Sequence, residues 1–467
     1  MKKPLLGLLV LCSLLWGCQA NLSQFWPSLE EVGEVYLYLQ PFSQEAQRLS
    51  FSIDAISAIS SDGKEIPLSV PQRELKGGDI RRQRLLATGF LPPDEYSGFS
   101  FRTKSAFLKG EGGESALRVP EVPTKVDFKF SVSRRKGYVL QLMLRYAESV
   151  EAGFSFTPAF SIYFPDRPAI GLMGLVANSR SNDITVFNKK SLQVFDVIAT
   201  GRGPSGMALD QRSRRAYVAL SGEDSVDVID IAAGTVSDRI RLNPGDEPWE
   251  LALTPDGRIL LSANRGSNTV SVIVTGSRVE LTKIRVGSGP SSILVEPTGR
   301  RAFVFNNLSN TISVIDILGG GLITTIATDP GPVRGQFNRR GDKLYVIHDL
   351  SSYIAVIDPI LLAVTGRFPV RSGMIAAKVN TNTDLVYLAR KRDFVVGVYD
   401  PFSFAAVGFV NTGASVVQMA IDGDENNLFM VSPDTKTILI STLTGNRIVG
   451  QLDVGEGPYW VTLMGER

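Results

Sequence analysis

Between residues 34 and 164 apolar and polar positions alternate. Glu34-Val35-Tyr36-Leu37-Tyr38-Leu39 and Leu49-Ser50-Phe51-Ser52-Ile53-Asp54-Ala55-Ile56 have a period near two, which sends successive side chains to opposite faces of a pleated strand. Ser61-Asp62-Gly63-Lys64 supplies a turn, and further strands read at 96–107, 126–132, 138–146 and 154–164. No stretch of useful length follows the period of an amphipathic helix. Residues 30–166 are therefore expected to form an all-β sandwich.

From residue 168 the alternation becomes a repeat. A corner of Gly-Pro type followed by a small-to-apolar strand occurs at Gly203-Pro204, Pro248-Trp249, Gly289-Pro290, Gly331-Pro332, Gly373-Met374, Gly413-Ala414 and Gly457-Pro458. Pro204 and Pro458 are 254 residues apart, six periods of about 42. An all-β period of 40–45 residues is that of propeller blades. Asp230, Asp316, Asp358 and Asp400 close third strands, where an Asx turn would redirect the chain into an outer strand. Six full periods run from 204 to about 456, and 172–198 supplies only three strands. The missing inner strand is expected at 459–463, clasping the first blade so that 168–467 closes as a seven-bladed ring.

The N-terminus changes the picture of where this fold resides. Lys2 and Lys3 precede an apolar run of about a dozen residues, too short for a permanent span of about 20 and suited to an export signal over 1–17. Leu15-Trp16-Gly17-Cys18 resembles the lipobox of bacterial lipoproteins, in which a small residue precedes the cysteine that receives diacylglycerol. Cys18 is the expected lipid attachment site, and Cys12 departs with the signal. Residues 18–29 read as a tether. In that family Asp after the cysteine retains a lipoprotein at the inner membrane; here the residue is Gln19, so the resemblance implies the outer membrane, facing the periplasm or the cell surface.

The stretches RAYVALSGEDSVDVIDIAAGTV, RAFVFNNLSNTISVIDILGGGL and KLYVIHDLSSYIAVIDPILLAV, from 215, 301 and 343, resemble the YVTN repeats of YncE-like seven-bladed propellers. Blades six and seven depart from the pattern, with Leu385-Val386-Tyr387-Leu388-Ala389 and Leu428-Phe429-Met430-Val431-Ser432 in place of the family strand. The order of AISAISSDGKEIPL, LPPDEYSGFSFRTKSA and FSFTPAFSI is similar to a transthyretin-like sandwich domain of unknown function found in bacterial surface lipoproteins. Neither resemblance carries an active site.

Composition narrows the chemistry. The 49 Lys+Arg against 47 Asp+Glu leave no excess for a polyanion, and without Lys2 and Lys3 the mature balance is 47 to 47, so nucleic acid is not an expected partner. Basic clusters at Arg81-Arg82-Gln83-Arg84 and Arg134-Arg135-Lys136 read as solvated loops. With one histidine in the chain, His348, neither a His-ligated metal centre nor a triad is expected. Asp422-Gly423-Asp424-Glu425-Asn426 holds carboxylates suited to Ca²⁺, but at an inner turn where Asp and Gly are expected anyway. No catalytic residue, metal or cofactor is expected.

The propeller face built from blade corners and from turns between second and third strands receives Arg180, Glu223, Asp224, Arg265, Asn307, His348, Asp349, Arg392 and Lys436, charges of both signs suited to a protein or glycan surface. The expectation is a monomeric propeller on a lipid anchor, a binding or scaffold protein of the cell envelope, partnered by the membrane and by an envelope protein or glycan. The alternative is a lactonase-like propeller hydrolase or lyase acting on a small periplasmic substrate.

Overall fold

The structure, a computed structural model, describes residues 32–466 except 72–73, 78–81, 112, 135 and 425. The signal sequence, the lipobox with Cys18, the tether, Arg81 and Arg135 lie outside the described residues. Among the described residues no helix is long and apolar enough to cross a membrane.

The first 130 or so described residues form two sheets facing across one apolar core. In the first sheet, Gly33–Leu39 lies between Gly137–Leu144, to which it is parallel, and Arg82–Leu91, to which it is antiparallel. The second is built on the long pair Leu49–Ser60 and Asp94–Gly110. Val35, Leu37, Phe51, Phe99, Phe101, Leu140 and Phe160 fill the space between them.

Seven four-stranded blades follow. Blades two to seven each run from inner to outer strand in chain order, with inner strands Pro204–Asp210, Pro248–Leu253, Pro290–Val295, Pro332–Phe337, Met374–Val379 and Gln418–Asp422. Blade one takes its inner strand from the C-terminus: Pro458–Leu463 pairs antiparallel with Met173–Asn178, followed outward by Asp183–Asn188 and Gln193–Ala199. The clasp read from the repeat count is present, and each inner strand packs beside the next around a closed ring. Closure leaves only outer edges unpaired.

Two local devices recur around the ring. Directly ahead of five of the seven inner strands stands a glycine with φ between 64° and 86°, a conformation that a Cβ disfavours. At the third-strand ends, Asp316, Asp358 and Asp400 each accept backbone N–H bonds from two and three residues on, the expected Asx turns.

The sandwich does not hang from the propeller by a linker. Its strand Arg82–Leu91 pairs in parallel with the outer strand of blade seven, Ile448–Asp453, through Gln451 opposite Arg82 and Leu452 opposite Gln83, so one eight-stranded sheet crosses the domain boundary. Tyr36, Tyr38 and Val139 turn away from the sandwich core and pack on Val176, Phe187, Val194 and Phe429 of blades one and seven. Gln141 donates to the Val194 carbonyl at 2.9 Å, and the Val194 N–H donates to Gln83 at 2.8 Å. The basic cluster at 81–84 therefore departs from the solvated loop expected of it: Arg82 ion-pairs with Asp453 of blade seven, and Arg84 is buried within the sandwich.

Candidate functional site: the channel mouth

The inner strands line the central channel. The third residue of six inner strands and the first of the blade-seven strand occupy one layer of it: Gly206, Glu250, Ser292, Arg334, Ala376, Trp460 and Gln418. Glu250 and Arg334 sit two blades apart and meet at 2.8 Å, both buried. Ser292 donates to the other Glu250 oxygen at 2.6 Å, and the Arg334 guanidinium lies 4.8 Å from the centre of the Trp460 ring. Burial opposes the Arg334 charge, but Glu250 and Tyr459 outweigh it and hold the guanidinium above its ordinary range. Gly206 has no room for a side chain because Glu250 and the Trp249 carbonyl pack against it. The inner strands thus share a buried charge and aromatic network across the channel, in which Arg334 Nε alone among these groups is left without a partner.

The C-terminal residues cross one end of the channel. The Met464 carbonyl accepts from Lys189 at 2.7 Å, the Gly465 N–H donates to Gln211 at 3.0 Å, and Glu466 takes Lys378 at 2.8 Å and Thr462 at 3.0 Å. Lys189, fully buried, lies 2.8 Å from Asp422 and 3.4 Å from Asp424. Of the carboxylates weighed for Ca²⁺, Asp422 and Asp424 are therefore compensated by the chain's own ammonium group, and Glu425 lies outside the described residues.

The opposite end is open. There the blade-two-to-three corner is two residues longer than its neighbours, since the spacing from Pro204 to Pro248 is 44 residues against 42 from Pro248 to Pro290. The extra loop is fastened by Asp224, which accepts the Gly245 and Glu247 N–H groups at 2.9 and 2.7 Å. It places Glu247, φ 49°, where five of the other six corners have glycine. A non-glycine in this conformation is strained by about 1–3 kcal/mol. Glu247, Trp249, Arg265, Asn268, Ser221, Ser288 and Leu308 line an open pocket of about 610 Å³. Arg265 lies over the Trp249 ring at 4.9 Å, and the Trp249 indole N–H donates to the Tyr459 hydroxyl at 2.9 Å, which fixes the indole from below. Burial pushes the Tyr459 hydroxyl up.

Of the residues singled out in sequence, Arg265 belongs to this pocket and Asp224 supports it. Glu223 accepts Arg239 at 2.8 Å, and Asn307 donates to Asp349 at 3.3 Å between neighbouring blades. Arg180, Arg392 and Lys436 stand on separate turns, Lys436 in a pair with Glu456. His348 departs from the exposed position expected on that face. It closes a second strand, fully buried, with Nε2 3.0 Å from Thr328 Oγ1 and Nδ1 3.2 Å from the Tyr353 carbonyl, and burial lowers its pKa. Glu250, Arg334, Trp249, Tyr459 and Trp460 were not singled out. Aligning the corners by their prolines exposes them: Glu and Arg stand in a column otherwise occupied by small residues, Gln and Trp.

A closed ring of seven four-stranded blades defines a β-propeller. Residues 167–375 match the model of the YncE-like β-propeller family. A functionally unknown protein from Desulfotomaculum acetoxidans DSM 771 is similar in structure, with 15% identity and a TM-score of 0.56 over 62% of this chain and 98% of that one. Dihydro-heme d1 dehydrogenase NirN in complex with DHE is similar at 12% identity and a TM-score of 0.52, over 64% of this chain and 77% of its own. At such identities the likeness is one of fold. No curated protein matches the chain.

Proposed function

We propose that this is a lipid-anchored binding protein of the cell envelope, held by an acylated Cys18 at the outer membrane, whose propeller engages an envelope protein or glycan through the mouth over blade three. The observation that carries this reading is the open pocket at the mouth, where Glu247, in a left-handed conformation that five of the other six corners give to glycine, stands beside Trp249 and Arg265. An aromatic side chain fixed from behind and rimmed by groups of both signs suits recognition. In the channel, by contrast, Glu250 and Arg334 are spent on each other, and His348 is enclosed.

The test uses the chain in its native membranes as bait, beside Cys18→Ala and a Trp249→Ala/Arg265→Ala double variant. Labelled palmitate should enter the parent and not Cys18→Ala. A partner crosslinked to the parent should be lost with the mouth variant. Turnover of lactones or esters with no recoverable partner would overturn the proposal.

A further inference from the structure

The pocket over blade three lies closer to the start of the described chain than its place in the ring suggests. Glu34 pairs with Gly137, and Gly137 packs on the Val197 carbonyl near the end of the blade-one outer strand Gln193–Ala199, which runs toward the mouth. The chain therefore enters the described structure at mouth level beside blade one. Three strand spacings inward, about 14 Å, is the inner strand of that blade, Pro458–Leu463. Its Tyr459 hydroxyl accepts the Trp249 indole N–H at 2.9 Å, and the two rings meet edge to face at 5.2 Å. The pocket thus begins where the inner edge of blade one ends, about 14–20 Å from the entry.

Residues 19–31, thirteen in number and outside the described residues, carry Leu22, Phe25, Trp26 and Leu29, end in Glu30 and Glu31 and hold no basic residue. An extended chain advances about 3.4 Å per residue, which would put Glu30 and Glu31 within about 10 Å of Val32 and Phe25 and Trp26 about 20–25 Å from it. At the first distance stands Arg180, on the blade-one turn between second and third strands, exposed and, among the described residues, without an ion pair. At the second stands the pocket. There Arg265 is exposed, lies on Trp249 and likewise has no carboxylate partner among the described residues. Leu308 is 71% exposed and leans over the corner glycine Gly289, where a Cβ would come within 2.6 Å of it. Read back from Val32, the segment is acidic and then aromatic; read inward from the entry, the mouth offers a cation and then an apolar pocket. The opposite face offers no such match, because the segment would first have to descend the height of a blade, about 20 Å.

We propose that residues 22–31 occupy the mouth of their own propeller, with Glu30 or Glu31 paired to Arg180 and with Phe25 and Trp26 held in the pocket between Trp249, Arg265 and Leu308. The aromatic rings complement the Arg265 guanidinium and cover Leu308. This is regulation of the mouth and rests on the reading of that mouth as the binding surface: a partner must displace the segment to bind.

The experiment uses the chain from Gln19 onward, both domains intact, with p-benzoylphenylalanine replacing Trp26. Irradiation should crosslink it within the same molecule, at a yield independent of protein concentration, to peptides containing Trp249, Arg265 or Leu308. Arg265→Ala/Leu308→Ser should lower that yield about tenfold, and Arg180→Glu should lower it less, each with an unchanged melting temperature because the altered side chains are exposed. Ile360→Ser/Phe402→Ser, on the opposite face, should crosslink like the parent. No crosslink, crosslinks to the sandwich or the opposite face, or crosslinks only between molecules overturn the proposal, as does a yield untouched by Arg265→Ala/Leu308→Ser. In native membranes Phe25→Ser/Trp26→Ser should raise capture of the partner several-fold, and unchanged capture overturns the regulation. Loss of the partner from Trp249→Ala/Arg265→Ala without any crosslink from position 26 removes the segment from the mouth and leaves the binding reading standing. A crosslinked segment with no recoverable partner does the reverse.

Discussion

Arg82 in the sandwich and Asp453 in the last blade form an ion pair at 2.8 Å, 371 residues apart in sequence and next to the two strand-to-strand pairings that join the domains. The second Asp453 oxygen accepts the Leu85 N–H at 3.1 Å. Burial raises the Asp453 pKa despite Arg82, so this carboxylate depends on its partner. The consequence is a sandwich fixed on the ring rather than one that swings from it.

Removing the arginine should therefore loosen the junction first. Arg82→Ala leaves a mostly buried carboxylate with one backbone N–H, and the expected loss is about 1–3 kcal/mol. Denaturant unfolding should split into two transitions, and limited proteolysis should cut the connection between 164 and 172 faster. A single unshifted transition would show that the apolar contacts of Tyr36 and Tyr38 suffice.

In the channel, Glu250→Ala strips the buried Arg334 of its carboxylate. A broken buried pair costs about 3–5 kcal/mol, and replacing both partners by apolar residues of similar volume recovers much of it. Chemical denaturation of Glu250→Ala, Arg334→Met and the double variant checks this. The double variant should be more stable than Glu250→Ala alone. If the two single effects simply add, the pair is not the unit the geometry indicates.

How much of this was legible in the sequence follows from the range of the interactions. The blade period, the Asx turns and the clasp of Met173–Asn178 by Pro458–Leu463 are read from local patterns that recur in register. The sandwich docking was partly written in Glu34-Val35-Tyr36-Leu37-Tyr38-Leu39, which is apolar on both faces, as a strand buried on both sides must be; the partner of the second face could not be named from it. The channel network was hidden for a different reason. Glu250 and Arg334 are 84 residues apart and meet only because the ring closes, so alternation along a strand says nothing about the contact. His348, at the end of a strand beside a polar turn, looked accessible; Thr328 and the Tyr353 carbonyl enclose it.

Ring closure depends on the last residues in two ways. They complete blade one, and the Met464 carbonyl takes one of the hydrogen bonds of the buried Lys189. Deleting 458–467 exposes the edge of Met173–Asn178 and should abolish cooperative unfolding and promote association through that edge. Lys189→Met separates the second role from the first. It keeps the strand but leaves Asp422 buried without its cation, at about 3–5 kcal/mol. Calorimetry should show a lowered but still single transition for Lys189→Met, and none for the deletion.

The pH dependence of stability should have two flanks with separate owners. Burial lifts Glu34 from its ordinary 4.5 to about 7 and Asp183 from 3.8 to about 6. For a carboxyl raised on folding, the stabilising contribution is fully present below its unfolded value and is lost as pH rises through the folded one, so these two weaken the fold between about pH 4 and 7. Glu34 alone contributes at most about 3 kcal/mol to this change. His348 has the opposite sign. Its pKa is lowered by burial, so its contribution is present above 6.5 and is lost as pH falls through the lowered value. Asp393, held low by Arg390, adds to the acid flank. Denaturation midpoints across pH 3 to 9 should therefore peak on the acid side of neutrality. Glu34→Gln should flatten the alkaline flank and leave the acid one, whereas His348→Asn should lower stability throughout and flatten the acid flank below pH 6.5. An alkaline flank that persists in Glu34→Gln/Asp183→Asn would assign it to other groups and remove the sandwich–blade junction as its origin.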